Sequence, residues 1–397
     1  MSTDLRTGSQ PPRVAFYNDP KVRSIAYQVA LCLVILFLVY GAVSNAIENL
    51  RRANIASGFG FWNNTAGFDI SQTLIAYSSQ ASTYGRAFWV GLLNTLLVAG
   101  LGIIFATVLG FVIGISRLSK NWLLAKVAGS YVEIIRNLPL LLQLLFWYNA
   151  VLKALPDIRE SITVGGALYL NNRGLFLPKP STLTGFGWVE IVFIGGIVAS
   201  IAFTIWSRKR QERTGQQAPT LWVTLGLVVG LPIVVFLLAG APILFESPQA
   251  GRFNITGGIE VLPEFAALLF GLSIYTAAFI AEVVRAGLLA VSRGQVEAAY
   301  SLGLQPRPTL RLVVIPQAMR VIIPPLTNQY LNLTKNSTLA VAIGYPDLVQ
   351  VFTGTVLNQT GQAVEVVAIT MLVYLTISLL TSFAMNVYNR RMALVER

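Results

Sequence analysis

The 397 residues include no histidine and one cysteine, Cys32. The commonest general base and the commonest zinc ligand are therefore missing. With one thiol, neither a disulfide nor a thiolate metal site can form within the chain. No G-x-x-x-x-G-K-[ST] segment occurs, so there is no visible machinery for holding ATP. The residues left for chemistry are a few ionisable groups inside apolar stretches. Glu282 lies within 264–290 and Lys335 within 321–343. A charge in such a place costs roughly 3 kcal/mol on insertion scales and faces a cavity or a partner. Gln143, Tyr275 and Asn328 are neutral polar groups on stretches of the same kind. The structural alternative is that Glu282 pairs with Arg285 one turn on, while Lys335 snorkels or caps a broken helix. No sequence argument separates the two.

Other polar residues carry similar pairs of readings. Arg136, Asn137 and Pro139 begin an apolar stretch. They form a hinge or gate, or else a helix start with an interface arginine. Asn94 and Thr95 are placed to hold neighbouring helices together by hydrogen bonds. Phe146, Trp147 and Tyr148 suggest an interfacial aromatic belt. Arg208-Lys209-Arg210 is a topology signal, with contact to anionic lipid as a second role.

The elements that must position these residues are membrane helices. The chain is 54% hydrophobic and only 12% charged, with a mean hydropathy of +0.64. A soluble chain would be about a quarter charged. A crossing needs about 20 mostly apolar residues, and eight stretches qualify: 25–44, 89–115, 132–155, 188–206, 219–240, 264–290, 321–343 and 364–386. The first is too long for a signal-peptide core and no clear small-residue cleavage site follows it, so it is expected to remain as a span. The net charge of +12 does not point to nucleic acid, because the basic residues sit in small groups beside the spans. With the N-terminus inside, 18 Lys and Arg fall on inner segments and 7 on outer ones. That bias predicts both termini in the cytoplasm. The fold class expected is all-α and polytopic, with about eight transmembrane helices. The outer stretches 45–88, 156–187 and 241–263 are expected as loops with local structure, not folded domains.

One inner segment needs its own account: "GQVEAAYSLGLQPRPTLRLVVIPQAM", residues 294–319. Residues 296–302 predict a short helix on which Ala298 and Ala299 offer a smooth face. Gly303 suits the left-handed residue that ends it. Pro306 suits the first turn of a second short helix, with Leu310, Val313 and Val314 at helical spacing. Two short helices at an angle would project from the membrane face. Glu297-Ala298-Ala299, three residues, Gly303, nine residues, then Val313-Val314-Ile315-Pro316 resembles the EAA loop of ABC importer permeases. The pattern there ends I-x-L-P, so Val and Ile here are a mild departure. In that family the loop carries a coupling helix that docks in a cleft of a cytoplasmic ATPase.

The stretches at 91–102, 131–148, 275–304 and 324–344 further resemble the polar amino-acid, HisMQ-like permeases. The likeness covers roughly 89–155 and 264–390. Typical members have five spans. This chain adds an N-terminal helix and an inserted hairpin at 188–240, and in that is similar to the longer permeases of general L-amino-acid uptake systems. The resemblance implies residues 1–88 as a cytoplasmic N-terminus, extra helix and periplasmic loop. It implies 89–390 as the permease domain with the EAA loop at 291–320, and 391–397 as a cytoplasmic tail.

The resemblance also implies partners: a second permease subunit, two ATPase subunits holding ATP and Mg, a periplasmic amino-acid-binding protein and the bilayer of a bacterial inner membrane. The chain itself would bind no cofactor or metal and would not be an enzyme. ATPase coupling would fall to Gly294, Glu297, Ala298, Ala299, Gly303 and Pro316. An L-amino-acid substrate carries an ammonium and a carboxylate, so Glu282 and Lys335 would match it, with Gln143, Tyr275 and Asn328 completing the path. Arg136 and Pro139 would gate it. The competing class is an ion-coupled secondary amino-acid transporter, favoured by intramembrane acid and base residues but leaving the EAA loop without a purpose.

Overall fold

The computed structural model describes residues 20–52, 57–251 and 254–392. Arg6, Arg13, Arg252 and Arg397 of the charge count lie outside them. The body includes ten helices, α1 (Pro20–Arg52), α2 (Tyr84–Ser116), α3 (Trp122–Asn137), α4 (Leu140–Leu152), α5 (Phe186–Thr214), α6 (Thr220–Leu238), α7 (Pro263–Leu289), α8 (Arg293–Ser301), α9 (Pro306–Ile343) and α10 (Ala363–Met392), with a further helical stretch at 349–360 between α9 and α10. Seven of these are long and apolar enough to cross a membrane.

The expected span at 132–155 is corrected. Its residues belong to α3 and α4, which meet at 106°. The ring of Pro139 pushes the residue before it out of the helical region. Leu138 accordingly sits at φ −97°, ψ 133°, and α3 stops at Asn137. Alone, α4 gives about 20 Å of helix, short of a hydrocarbon core about 30 Å thick. Only the two pieces together supply an eighth crossing.

The second short helix expected at Pro306 is also corrected. Its first turn, Pro306–Thr309, runs through a widened turn at Leu310–Val314 into the following span without a break. Pro316 has no N–H, and its ring would crowd the carbonyl four residues back. Widening the preceding turn relieves that crowding and keeps the helix whole.

The chain divides into two compact units. In the first, residues 57–83 fold over the start of α2 and over residues 348–377. Phe61, Trp62, Phe88 and Phe352 pack edge-to-face or tilted, with centroids 5.2–6.4 Å apart. Gly85 lets the indole of Trp62 lie against the helix, where a Cβ would come within 2.3 Å of Nε1. Tyr84 donates to Gln359 at 3.0 Å, and Glu365 accepts from the Gly58 N–H. Tyr77 donates to the Phe68 carbonyl at 2.8 Å. Burial first, then the charge of Asp69, raises its phenol to about 12.

The second unit is built on close helix approach. Gly110 and Gly114 lie four apart on α2, facing α7. A Cβ on Gly110 would sit 2.6 Å from Ile280, and one on Gly114 would sit 2.7 Å from the Ala281 carbonyl oxygen. Gly287 on α7 meets Ile322 on α9 in the same way. Lipid tails are as apolar as leucine, so helices in a bilayer hold together by this contact and by hydrogen bonds. Asn94 and Thr95 are fully buried, and Asn94 Nδ2 donates to the Pro346 carbonyl at 2.9 Å. The aromatic run at 146–148 is less of a belt than expected. Trp147 and Tyr148 pack on the core, and Tyr148 donates to Glu264 at 2.7 Å.

In the stretches 156–187 and 241–263, expected as loops with local structure, that structure is a set of small sheets. Strands β1 (Ile162–Val164), β2 (Leu168–Asn171), β3 (Gly174–Leu177) and β8 (Ile259–Val261) form an antiparallel sheet in that order. Strand β4 (Lys179–Thr182) pairs β5 (Ile243–Glu246), and β6 (Gln249–Ala250) pairs β7 (Ile255–Thr256). The α5–α6 hairpin therefore leaves and returns through one β platform. Gly174, at φ 138°, allows β3 to meet β8, because a Cβ there would lie 2.4 Å from the Val261 oxygen. On β8, Glu260 is raised above the usual carboxylate range by burial and by Glu264, with Arg173 opposing.

The glycine faces yield a direct test. Gly114→Leu should overpack α2 against α7 by about 1–3 kcal/mol and lower the yield of monodisperse protein in fluorescence-detected size exclusion. Gly100→Leu, on the same helix but with no heavy atom within 4 Å of its Cβ position, should behave as the parent does.

Candidate functional site

Glu282 sits on α7 two turns before its end at Leu289 and draws three arginines. Arg117, the first residue beyond α2, donates to Oε2. Arg285 donates to Oε1 through Nη2 at 2.6 Å and Nε at 3.2 Å. Arg136, at the end of α3, stands 3.8 Å from Oε2, with its guanidinium 5.1 Å above the Phe279 ring. Beside the cluster lies a cavity of about 380 Å³ lined by Arg117, Val132, Glu133, Arg136, Asn137, Phe279 and Glu282. Its lining carries two guanidiniums and two carboxylates, and Arg285, bonded to Glu282 but outside the lining, adds a third cation to the cluster.

The corner between α3 and α4 sets this geometry. Tyr131 holds α3 to α7 by donating to the Ile274 carbonyl at 2.6 Å. The last carbonyls of a helix have no partner within it. Here the buried Gln143 supplies one: its Nε2 donates to Ile135 O at 2.9 Å and Leu138 O at 3.0 Å. Gln143 thus closes the corner instead of opening onto a path. Pro139 is exposed at the bend.

The structure does not join Glu282 and Lys335. The contact of Gly287 with Ile322 sets the register of the antiparallel α7 and α9, and Lys335 then lies on the order of 10–15 Å along the axis from Glu282. Glu282 takes the arginine pairing that its own helix suggested, extended to two further arginines. Tyr275 is half-buried against Phe279, centroids 4.9 Å apart. Asn328 and Lys335 are exposed on α9, together with Val321, Pro324 and Asn332. Those five recur every three or four residues and form one stripe. Sequence reasoning missed Arg117, Asn332 and the cavity itself. The charge of Glu282 inside an apolar stretch signalled a cavity or a partner, but nothing in the sequence named Arg117 as that partner.

Helix α8 lies between α7 and α9. Gly303, at φ 81°, ends it with two bonds: its N–H donates to Tyr300 O at 2.9 Å and the Leu304 N–H donates to Ala299 O at 3.1 Å. This pair is the Schellman arrangement, which requires a left-handed residue. Gly294, Glu297 and Ala298 are exposed, but Ala299 is 4% exposed. The smooth face expected from both alanines is therefore corrected: Ala299 turns inward and anchors the helix. The outward apolar surface comes instead from Tyr300, 49% exposed, and Leu302, 83% exposed.

Residues 213–394 match the family described as binding-protein-dependent transport system inner membrane component. The general L-amino acid transport system permease protein AapQ of Rhizobium johnstonii is 55% identical over 385 residues, spanning 97% of this chain and 96% of that protein. The putative amino-acid ABC transporter permease protein YhdX of Escherichia coli K12 is 51% identical, over 96% of this chain and 97% of its own length. The glutamate/glutamine/aspartate/asparagine transport system permease protein BztB of Rhodobacter capsulatus is 42% identical, over 99% of this chain and 100% of that one.

The arginine cluster predicts a specific pattern of loss and rescue. Glu282→Gln leaves Arg117 and Arg285 facing a neutral amide. Breaking a fully buried pair costs about 3–5 kcal/mol. With Arg117 16% and Glu282 28% exposed, water screens part of this, and about 1–3 kcal/mol is expected. The thermal midpoint and folded yield should fall, and Glu282→Gln with Arg117→Gln should recover part of both. A single variant with parental yield and midpoint would remove the stabilising role.

Proposed function

The chain belongs to the binding-protein-dependent transport system inner membrane components, the permeases of ABC importers, and on that premise we propose that it carries L-amino acids inward as one of two unlike permease subunits. It is a multi-pass membrane protein and not itself an enzyme; hydrolysis belongs to a separate ATPase. The relatives support the amino-acid cargo, since all three reported above are named as permeases of such systems and match nearly the full chain. They lend nothing to ion coupling. Broad specificity, a periplasmic amino-acid-binding protein, and two ATPases holding ATP and Mg complete the proposed assembly, with residues 89–390 as the permease domain.

The observation that carries this reading is α8: a rigid, Gly303-capped helix outside the membrane spans, tied at both ends to packed helices. We assign Gly294, Glu297, Ala298, Tyr300 and Leu302 to the surface that enters an ATPase cleft. Ala299 anchors that surface, and Gly303 and Pro316 set its angles. The stripe of Asn328, Asn332 and Lys335 supports a second permease. Polar groups exposed on a membrane helix face protein or water, not lipid. In this reading the substrate path runs along the stripe between the two permeases, where Lys335 can meet a carboxylate, and Tyr275 flanks the inner cavity. Glu282, Arg136 and Pro139 shape the inner mouth, and Gln143 supports it from behind.

Uptake into proteoliposomes holding the whole assembly tests the function. Amino-acid accumulation should persist with a protonophore and stop with vanadate; the reverse result would establish an ion-coupled carrier. Gly303→Val adds a side chain to a left-handed residue at a cost of roughly 1–2 kcal/mol. It should leave insertion normal while ATP hydrolysis no longer drives uptake. For orientation, single cysteines in a Cys32→Ser background should label from outside at position 170 and only after permeabilisation at position 305. The opposite result would invert the topology.

A further inference from the structure

The α5–α6 hairpin has a feature that coupling does not use. Gly196 brings α5 against the Leu227 carbonyl, where a Cβ would lie within 2.2 Å. On the hairpin-turn side of that crossing lies a groove of about 220 Å³ lined by Ser200, Ile201, Thr204, Ile205, Arg208 and Thr224. The hydroxyls do not make it hydrophilic: Ser200 Oγ donates to the Ile197 carbonyl at 2.9 Å and Thr204 Oγ1 to the Ser200 carbonyl at 2.8 Å. Methyl groups therefore dominate the walls.

Arg208 closes the end of this groove nearest the hairpin turn. There the sequence is strongly basic, with Arg208, Lys209, Arg210 and Arg213 against Glu212 alone. Arg210 is engaged by Gln216 at 3.1 Å and by the ring of Trp206 at 5.4 Å. Arg208, Lys209 and Arg213 are exposed and make no ion pair among the described residues. Trp206 and Trp222, 51% and 74% exposed, flank the turn on the two helices, where amphipathic rings mark the membrane–water boundary. The groove thus begins at headgroup level and runs into the hydrocarbon.

We propose that this groove is a binding site for one anionic phospholipid, its phosphate on Arg208 with Lys209 and Arg213 adjacent, and one acyl chain along Ile201 and Ile205. Basic clusters between membrane helices recognise such headgroups, and an apolar groove continuous with the cluster distinguishes a bound lipid from a diffuse charge effect.

Native mass spectrometry of the intact assembly tests it, with phosphatidylglycerol and phosphatidylcholine supplied at equal concentration. The parent should retain phosphatidylglycerol in preference. Replacing Arg208, Lys209 and Arg213 with Gln should cut that preference at least about tenfold, and Thr204→Phe, which fills the groove and keeps every charge, should cut it too. Lys120→Gln with Lys126→Gln should leave it unchanged. Equal loss in that control pair would make the effect general surface charge and overturn the site. Retention in Thr204→Phe would overturn the groove, and displacement of the lipid by millimolar inorganic phosphate would make it a simple oxyanion site.

Discussion

A carboxylate inside an apolar helix has to be neutralised by other parts of the protein, and Glu282 is neutralised by arginines from three helices. Arg285 comes from its own helix, Arg117 from the end of α2 and Arg136 from the end of α3. The ends of α2 and α3 are therefore fixed to one point on α7. The cost of placing the charge there, roughly 3 kcal/mol on insertion scales, is offset while Arg117 and Arg285 stay in register with it, and Arg136 adds to them from 3.8 Å. That register is itself enforced by Gly110 and Gly114, which hold α2 against α7 so closely that Arg117 arrives beside Glu282. A larger residue at either position would displace the charge as well as the helix.

The cluster and α8 share one piece of rigid helix. From Glu282 to the end of α7 is about 10 Å, and three residues, 290–292, separate that end from α8. On the other side, residues 302–305 lead from α8 into α9. Ala299, buried beneath the helix, prevents α8 from swinging freely on these two links. On the proposed reading, force applied to α8 reaches α7 and α9 together, since Gly287 and Ile322 lock them. It then reaches Arg285 and Glu282 before the outer two-thirds of α7. The inner mouth is where an applied displacement would first alter charge contacts.

Much of this was legible in the sequence because the signals were local. Long apolar runs gave seven helices, and Gly303 in its E-A-A-x-x-x-G setting gave a left-handed cap that the backbone does contain. What was not legible depended on partners distant in the chain. Arg117 looks like a topology residue until Gly114 brings α2 to α7. The strands of the β platform have two to four residues each, too few for an alternating pattern to stand out, and β3 pairs with β8 some eighty residues away. The bend at Pro139 was misread for a different reason. Proline at a helix start and proline ending the previous helix leave the same letters, and only the extended backbone of Leu138 distinguishes them.

The β platform changes how the inserted hairpin should be understood. A pair of lipid-exposed helices joined to the body by flexible loops could tilt independently. Here the chain enters α5 directly from β4 and leaves α6 directly into β5, and those strands pair along Lys179↔Glu246 to Thr182↔Ile243. Strand β8 then passes through Leu262 into α7, the helix that carries Glu282. At this end the hairpin is tied to the unit's central helix by backbone hydrogen bonds; at its other end, among the described residues, it bears exposed cations and tryptophans. An element anchored at one end by paired strands, and held in the headgroup layer at the other on the lipid proposal, would be constrained at both membrane surfaces and act as a strut, not a loose appendage.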